Sequence, residues 1–227
     1  MNRPADKIHQ MSYICYEAQK IGIIKELFKN NKPERVIIFT GSKIKAKELA
    51  ISLARAKFNC RAMHSDLTQQ ERDEVMYLFR SAQTDILVAT DIVARGIDID
   101  DITLVINFDV PHDAEDYVHR IGRTARAGAG GSAITLVSEK DQLEFMKIER
   151  FLGKEVERMT IPESLGKGPA YNPKAQDNRS SKGKRSSKGN KGGRNKMNKN
   201  GHSKPRNKKN HDKPKAQQTE TQKKESK

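Results

Sequence analysis

The sequence lacks tryptophan, has two cysteines among its 227 residues, and contains 5% aromatic residues. Cys15 and Cys60 provide neither a disulfide framework nor a metal cluster, and a reducing cytoplasm fits them best. No apolar run approaches the roughly 18 residues that a membrane span requires, and the N-terminus has no apolar signal-peptide core. We therefore expect a cytoplasmic protein with no membrane partner and no metal site of its own.

Positive charge is concentrated toward the end of the chain. Residues 166–227 contain 20 lysines and arginines and four acidic residues, a net charge of +16, whereas residues 1–165 have 24 basic and 25 acidic residues, a net charge of −1. The last segment is rich in Gly, Ser, Asn and Lys, and Tyr171 is its single aromatic residue. Because it cannot bury enough apolar surface to offset its ordering entropy, we expect a folded domain at 1–165 and a disordered basic tail at 166–227.

Strand and helix patterns alternate along residues 1–165. Continuous apolar runs rich in β-branched residues predict strands buried on both faces, at Arg35–Thr40, Asp85–Thr90, Thr103–Phe108 and Ser132–Val137. Helical patterns cover Lys43–Lys57, Thr68–Ser81, Ala114–Ile121 and Asp141–Phe151. Further strand patterns lie at Asn59–Ser65, Lys7–Tyr16 and Glu155–Ile161, the last two as expected outer strands. This alternation predicts an α/β fold with a mostly parallel central sheet flanked by helices, which binds ligands at the carboxyl ends of its strands.

Two segments place polar side chains at that edge. Thr90 ends a predicted strand, Gly96 allows close approach of the backbone to a ligand, and Asp98 suits a ribose hydroxyl. In His64–Asp73, a capping box begins the helix, and Gln69 and Arg72 share a helical turn that suits a phosphate backbone. The alternative interpretations are an ordinary loop with a turn glycine and a solvated first helical turn.

The segment YVHRIGRTARAG, residues 117–128, places Arg120, Arg123 and Arg126 at a spacing of three directly after His119. On a helix this spacing keeps three mutually repelling cations on one broad face. Guanidinium groups match phosphoryl oxygens bidentately, and an arginine aimed at a γ-phosphate accelerates phosphoryl transfer by about 10³–10⁵. The alternative is an exposed basic helix face.

The segments FTGSK, HSDLTQQERD, ATDIVARGIDI and YVHRIGRTARAG, in this order, resemble the C-terminal motor domain of DEAD-box RNA helicases over Ile8–Pro162. The resemblance implies a RecA-like α/β domain, the second of two in the enzyme, followed by a basic tail of the bacterial type. It also departs from the family pattern, because Ser65 and Ala125 replace glycines that are usual there. Both replacements are small, and we expect neither to abolish function.

The resemblance also implies roles for individual residues. The catalytic group is His119, Arg120, Arg123 and Arg126, of which the first two lie at the cleft between the domains and the last is the arginine finger. The nucleotide contacts are Gly96, Asp98, Arg123 and Arg126. The RNA contacts are Ser42, Gln69, Arg72 and Thr90, and Phe39 packs behind the arginine segment.

The first half of that family carries a Gly-Lys-Thr phosphate loop, an Asp-Glu-Ala-Asp box for Mg²⁺ and a Ser-Ala-Thr linker, and none is found in this sequence. We therefore expect ATP with Mg²⁺ to bind only together with an N-terminal helicase domain, and the chain alone to be inactive. The sequence leaves open whether the chain is a fragment, a truncated gene product or half of a split protein.

The expected function is the C-terminal half of an ATP-dependent RNA helicase. The alternatives are a stand-alone RNA-binding or annealing module and a motor half that acts on DNA. The expected partners are an N-terminal helicase domain and single-stranded or short duplex RNA. The tail would bind RNA electrostatically and without sequence preference, unless it serves only for solubility.

Overall fold

A computed structural model describes residues 7–91, 102–124 and 131–174. The strands within these ranges are β1 His9–Ile14, β2 Val36–Thr40, β3 Cys60–Met63, β4 Ile86–Thr90, β5 Leu104–Asn107, β6 Ser132–Val137 and β7 Glu157–Arg158. The α-helices are α1 Lys20–Leu27, α2 Lys43–Arg55, α3 Gln69–Arg80, α4 Ala114–Ile121 and α5 Gln142–Leu152. None of the helices in the described ranges is long and apolar enough to cross a membrane.

The seven strands form one sheet in the order β3-β4-β2-β5-β6-β1-β7, and every described strand pair is parallel. Thr40 lies opposite Thr90 in the register of β2 and β4, and Met63 lies opposite Ala89 in that of β3 and β4. Parallel strands end at a common edge, so the residues that follow β2, β3 and β4 lie side by side there. The predicted α/β fold with its mostly parallel sheet is confirmed.

The core consists of apolar layers on the two faces of this sheet. All five residues of β2 are buried, as expected for a strand covered on both sides. Val36 and Ile38 pack in the layer that contains α1 and α2, whereas Ile37 and Phe39 pack in the layer that contains α3. The alternation of side chains along a strand produces this division.

Most predicted elements are present. The helix Ala114–Ile121 and the strand Ser132–Val137 have the predicted bounds, and Thr68 caps α3 through a capping box with Glu71. Helix α1 was not predicted, because its sequence KIGIIKEL combines a glycine with a continuous isoleucine run. Gly22 packs closely there, since a Cβ atom at that position would lie 2.7 Å from Leu165 Cδ2 and the leucine side chain would have to shift.

The prediction that Lys7–Tyr16 forms an outer strand is wrong. Its strand β1 lies between β6 and β7, and β7 is the edge strand with two residues, Glu157 and Arg158. Six residues of β1 pair with β6, from His9 opposite Ser132 to Ile14 opposite Val137. The short β7 adds a second neighbour, and this placement encloses β1 in the sheet.

Residues 166–174, which follow the predicted domain boundary at residue 165, pack against the domain. The Gln19 side chain donates to the carbonyl oxygens of Leu165 and Lys167, at 2.8 and 3.3 Å. The Gln142 side chain donates to Ala170 O at 2.8 Å and accepts from Asn172 N at 2.6 Å. These backbone groups are satisfied by side chains of the domain, so the polar composition of this segment did not prevent its docking.

Tyr171 is also part of this docked segment. Its hydroxyl donates to Glu149 Oε2 at 2.9 Å, and the Arg158 guanidinium lies 4.5 Å from the ring centroid. The predicted disorder of residues 175–227 concerns residues outside the described ranges and stays a prediction.

Both cysteines are free and buried. Burial raises the pKa of the Cys15 thiol to about 12, and burial also raises the pKa of Cys60. Thiolates are the reactive form of cysteine, so these two side chains act as small apolar core residues.

Candidate functional site

Ser42 lies at the carboxyl edge of the sheet, directly after β2 and its following glycine. It is exposed and forms the N-cap of α2, where its hydroxyl accepts from the backbone amide of Lys45 at 3.3 Å. Thr40 Oγ1 donates to Ser42 O at 3.2 Å, which ties the turn back to the strand end. The turn therefore presents a hydroxyl beside a helix N-terminus, an arrangement that suits a phosphate oxygen.

Gln69 and Arg72 lie in the first turn of α3, beyond the end of β3. Gln69 is exposed and donates to Asp73 Oδ1 at 2.8 Å. The Arg72 guanidinium turns back onto its own loop and donates to Leu67 O at 3.1 Å and Ser65 O at 3.4 Å. Arg72 therefore holds the loop between β3 and α3, in addition to any contact with a ligand.

Thr90 ends β4 and is partly buried. Its place opposite Thr40 puts it on the strand next to the Ser42 turn, and β3 and its loop lie on the other side. The structure thus brings the four predicted RNA contacts to one edge, on three adjacent strands and the segments that follow them.

Arg120 is buried, with 3% of its surface exposed. Its Nε and Nη2 donate to the two carboxylate oxygens of Asp91 at 2.6 and 2.7 Å, and its Nη1 donates to Asn107 Oδ1 at 3.2 Å and to Asp109 O at 2.8 Å. The expectation of three mutually repelling cations is wrong for this residue, because a fork-to-fork ion pair compensates its charge. Arg120 instead joins α4 to the ends of β4 and β5.

Phe39 lies behind this arginine, as expected from the resemblance. The Arg120 guanidinium carbon is 5.1 Å from the centroid of the Phe39 ring, a distance at which the ring face attracts a cation.

Arg120 and Arg123 do not share one helical face. Helix α4 ends at Ile121, with Gly122 as its C-cap, so that Arg123 lies beyond the helix and is half-buried, whereas His119 is exposed. Arg126, Gly96 and Asp98 lie outside the described residues.

Three of the four residues that border those two undescribed segments, Ile102, Thr124 and Gly131, lie together. The Thr124 hydroxyl donates to Ile102 O at 2.7 Å. On its other side, a Cβ atom placed on Gly131 would lie 1.9 Å from Thr124 Oγ1, so only glycine fits beside it. The chain therefore leaves segment 92–101 at the place where it enters and leaves segment 125–130.

A pair of lysines on α2 flanks the loop after β3. Lys43 and Lys47 contact the two carboxylate oxygens of Asp66 at 2.7 and 2.9 Å. Hydrogen bonds from these lysines lower the pKa of Asp66 to about 2. The neighbouring His64 is buried, its Nδ1 has no hydrogen-bond partner in the described part of the chain, and burial lowers its pKa.

Sequence reasoning missed one charged group at this edge, centred on Asp109. This residue follows β5 as Asp91 follows β4, so the rule that located Thr90 would also have located Asp109. Its main partners, Lys20 and Lys45, are far from it in sequence and carry no local signal.

Residues 19–128 match the helicase conserved C-terminal domain family. The chain is 43% identical over 142 residues to the ATP-dependent rRNA helicase RRP3 of Encephalitozoon cuniculi, a match that covers 63% of this chain and 36% of the relative. It thus spans about a third of that relative's length.

Solved structures show the same fold. The DEAD-box protein SrmB of E. coli, solved with regulator of ribonuclease activity A, matches with a TM-score of 0.67 and 34% identity over 73% of this chain and 97% of its own. S. cerevisiae Dbp5, solved with RNA and ADP BeF3, matches with a TM-score of 0.64 and 34% identity over 68% of this chain and 42% of its own. The chain therefore belongs to the DEAD-box helicase family and contains that family's C-terminal, RecA-like domain.

Proposed function

We propose that this chain works as the C-terminal motor half of an ATP-dependent RNA helicase. In this role it supplies half of a single-stranded RNA site and, through Arg126, the arginine finger for ATP hydrolysis. The observation that carries the proposal is the convergence of Ser42, Gln69, Arg72 and Thr90 at one edge of the sheet. Dbp5, solved with RNA and ADP BeF3, supports the ligand class.

The buried Arg120 connects this edge to the segment that contains the proposed nucleotide contact Arg123. Its ion pair holds Asp91, the residue after the proposed RNA contact Thr90, while its own helix leads to Arg123. A shift of α4 on nucleotide binding would therefore be transmitted to the end of β4. We propose that this link, together with the exposed His119, couples ATP to RNA.

We propose that the nucleotide lies near Thr124, because its contacts would come from the two segments that Ile102, Thr124 and Gly131 border. Gly96 and Asp98 belong to the segment that ends before Ile102, and Arg126 belongs to the segment between Thr124 and Gly131, whose borders converge. Guanidinium groups and a glycine fit a triphosphate by their chemistry. We assign the Mg²⁺ ligands to the N-terminal domain, because the Asp-Glu-Ala-Asp box that the resemblance implies for them is not found in this sequence.

The basic tail would act as a tether for RNA, as in bacterial members of the family, in a cytoplasmic protein. Residues 175–227 hold 18 lysines and arginines and four acidic residues, and such a segment binds phosphates without reading sequence. Base stacking contributes little, since Tyr171 is held by Glu149 and Arg158.

The test is a domain exchange. Residues 7–174 replace the corresponding domain of SrmB, and hydrolysis of ATP with Mg²⁺ is measured with and without single-stranded RNA, beside unaltered SrmB and the isolated chain. We expect RNA-stimulated hydrolysis in the chimera and none above background in the isolated chain, because positioning and metal-assisted charge stabilisation carry phosphoryl transfer. A folded chimera that binds RNA but never hydrolyses ATP would contradict the motor role and favour the stand-alone RNA-binding module.

A further inference from the structure

A lysine is fully buried beneath the carboxyl edge of the sheet. The Lys20 side chain is 0% exposed, and its ammonium lies 3.0 Å from Glu17, 3.4 Å from Asp109 and 3.8 Å from Asp141. It also lies 5.1 Å from the centroid of the Phe108 ring. A buried ammonium requires such compensation, since an isolated charge in the interior costs several kcal/mol or more.

The Asp109 carboxylate gathers donors from three elements. Besides Lys20 on α1, Lys45 on α2 contacts Oδ1 at 2.5 Å, and the backbone amide of Gly41 donates to Oδ2 at 2.8 Å. Burial alone would raise the pKa of Asp109, but the Gly41 hydrogen bond and the two lysines outweigh it and hold the pKa below its usual range. The carboxylate is therefore charged at neutral pH.

The Gly41 contact fixes the turn that presents Ser42. Gly41 stands between the end of β2 and the N-cap of α2, and a Cβ atom at this position would lie 3.4 Å from Asp109 Oδ2. A charge-assisted hydrogen bond to a backbone amide is about twice as strong as a neutral one. The Asp109 side chain thus holds the turn, while its backbone carbonyl oxygen accepts a hydrogen bond from Arg120 Nη1.

The two lysines have a second effect at an edge that would receive phosphate. The Asp109 carboxylate accepts from Gly41, the residue before Ser42. Without compensation, its charge would repel an RNA phosphate bound at Ser42. Lys45 bridges Asp109 and Glu17, at 2.5 and 3.1 Å, and its ammonium reduces that repulsion. The same pair of lysines therefore orients the carboxylate and offsets its charge.

We propose that Asp109 is a positioning residue for RNA binding, whose carboxylate, held by Lys20 and Lys45, sets the Gly41–Ser42 turn in place to meet an RNA phosphate. The inference rests on the RNA edge of the proposed function and adds to it a residue that does not touch RNA. A merely structural ion pair would affect the whole domain, whereas a positioning residue affects the turn that it holds.

The test measures backbone amide NMR shifts in the full chain, first alone and then with a short single-stranded oligouridylate. Asp109→Asn keeps the shape of the side chain and removes its charge. We expect the Gly41 amide proton to move upfield without RNA. With RNA, the Ser42 amide should lose at least half of its shift change, while the changes at Gln69, Arg72 and Thr90 persist.

Asp85→Asn is the matched control, because the Asp85 side chain is 14% exposed, against 11% for Asp109, and contacts Lys32 at 3.7 Å. It precedes β4 and so lies at the opposite edge of the sheet. Both the Gly41 resonance and the Ser42 response should stay unchanged. Lys45→Met should weaken the Ser42 response, and Lys45→Arg should restore most of it.

Four results would overturn the proposal. One is a full Ser42 response in Asp109→Asn, and another is an equal loss at all four residues, which indicates a general structural role. If Asp109→Asn does not fold, an unchanged Ser42 response in Lys45→Met overturns the proposal instead. No RNA response at any of the four residues in the unaltered chain contradicts the RNA edge itself and removes the proposal with it.

Discussion

Two groups of charges at the carboxyl edge of the sheet have similar composition and different surroundings. Asp109 and Arg120 are themselves buried, as is Lys20, and their partners come from separate elements. Around Asp66 the partners are Lys43 and Lys47, all three solvent-exposed, with Asp66 at 38% exposure. Water competes for every contact in the second group, so those lysines are free to exchange a carboxylate for a phosphate, whereas the first group fixes the geometry of the edge.

The largest loss of stability should follow removal of the buried arginine. Arg120→Ala leaves Asp91 and Asn107 without their donor, and breaking such a buried pair costs about 3 kcal/mol or more. For a domain of this size that corresponds to a fall in melting temperature of roughly 6–12 °C. Thermal unfolding checks the value. Arg55→Ala, which removes an exposed arginine from α2, should change stability by less than about 0.5 kcal/mol, and equal effects would erase the distinction between the two groups.

Two truncations distinguish the docked residues 166–174 from the basic tail that follows them, residues 175–227. Deleting residues 166–227 removes Tyr171 from Glu149 and Arg158 and unpairs Gln142, so we expect a loss of about 1–3 kcal/mol. Deleting 175–227 should leave the unfolding free energy nearly unchanged while it weakens binding to unstructured RNA and flattens the salt dependence. Denaturant unfolding and RNA titrations at two salt concentrations measure both. Equal stability of the two truncated chains would show that the docking of residues 166–174 does not stabilise the domain.

The sheet could be predicted from the sequence, but the docking of residues 166–174 could not. β-branched runs such as that of β2 report burial directly, because a strand covered on both faces has no polar side to mask it. Residues 166–174 hold few apolar groups, and their placement depends on Gln19 and Gln142, which are distant in sequence. For the site, the local order of motifs identified the edge, but the burial of Arg120 and the role of Asp109 depend on contacts between separate elements.

The pH dependence of stability should also distinguish the two aspartates. The pKa of Asp109 is lowered in the folded chain, so its contribution is present above the unfolded value of about 3.9 and is lost as pH falls through the lower folded value. Asp66 has the same sign, with a folded pKa of about 2. High salt screens exposed pairs and spares buried ones. Acid unfolding curves should therefore respond to Asp109→Asn at both low and high salt, and to Asp66→Asn at low salt alone.

The smallest effect is expected for Asp66→Asn at neutral pH. Exposed ion pairs contribute little, so stability should scarcely change. RNA binding should not weaken, because Lys43 and Lys47 lose a competing carboxylate. A marked fall in RNA affinity would show that Asp66, like Asp109, fixes the geometry of its lysines.

The central claim, that this chain supplies the arginine finger of a motor, is tested most directly by Arg126→Ala in the chimera with the SrmB N-terminal domain. Turnover and melting temperature are measured on the same preparations. The account predicts that turnover falls by about 10³-fold or more without a fall in melting temperature, because the lost interaction forms chiefly in the transition state. Arg126→Lys should not restore turnover, since an ammonium lacks the planar fork. Near-normal turnover in Arg126→Ala would contradict the claim.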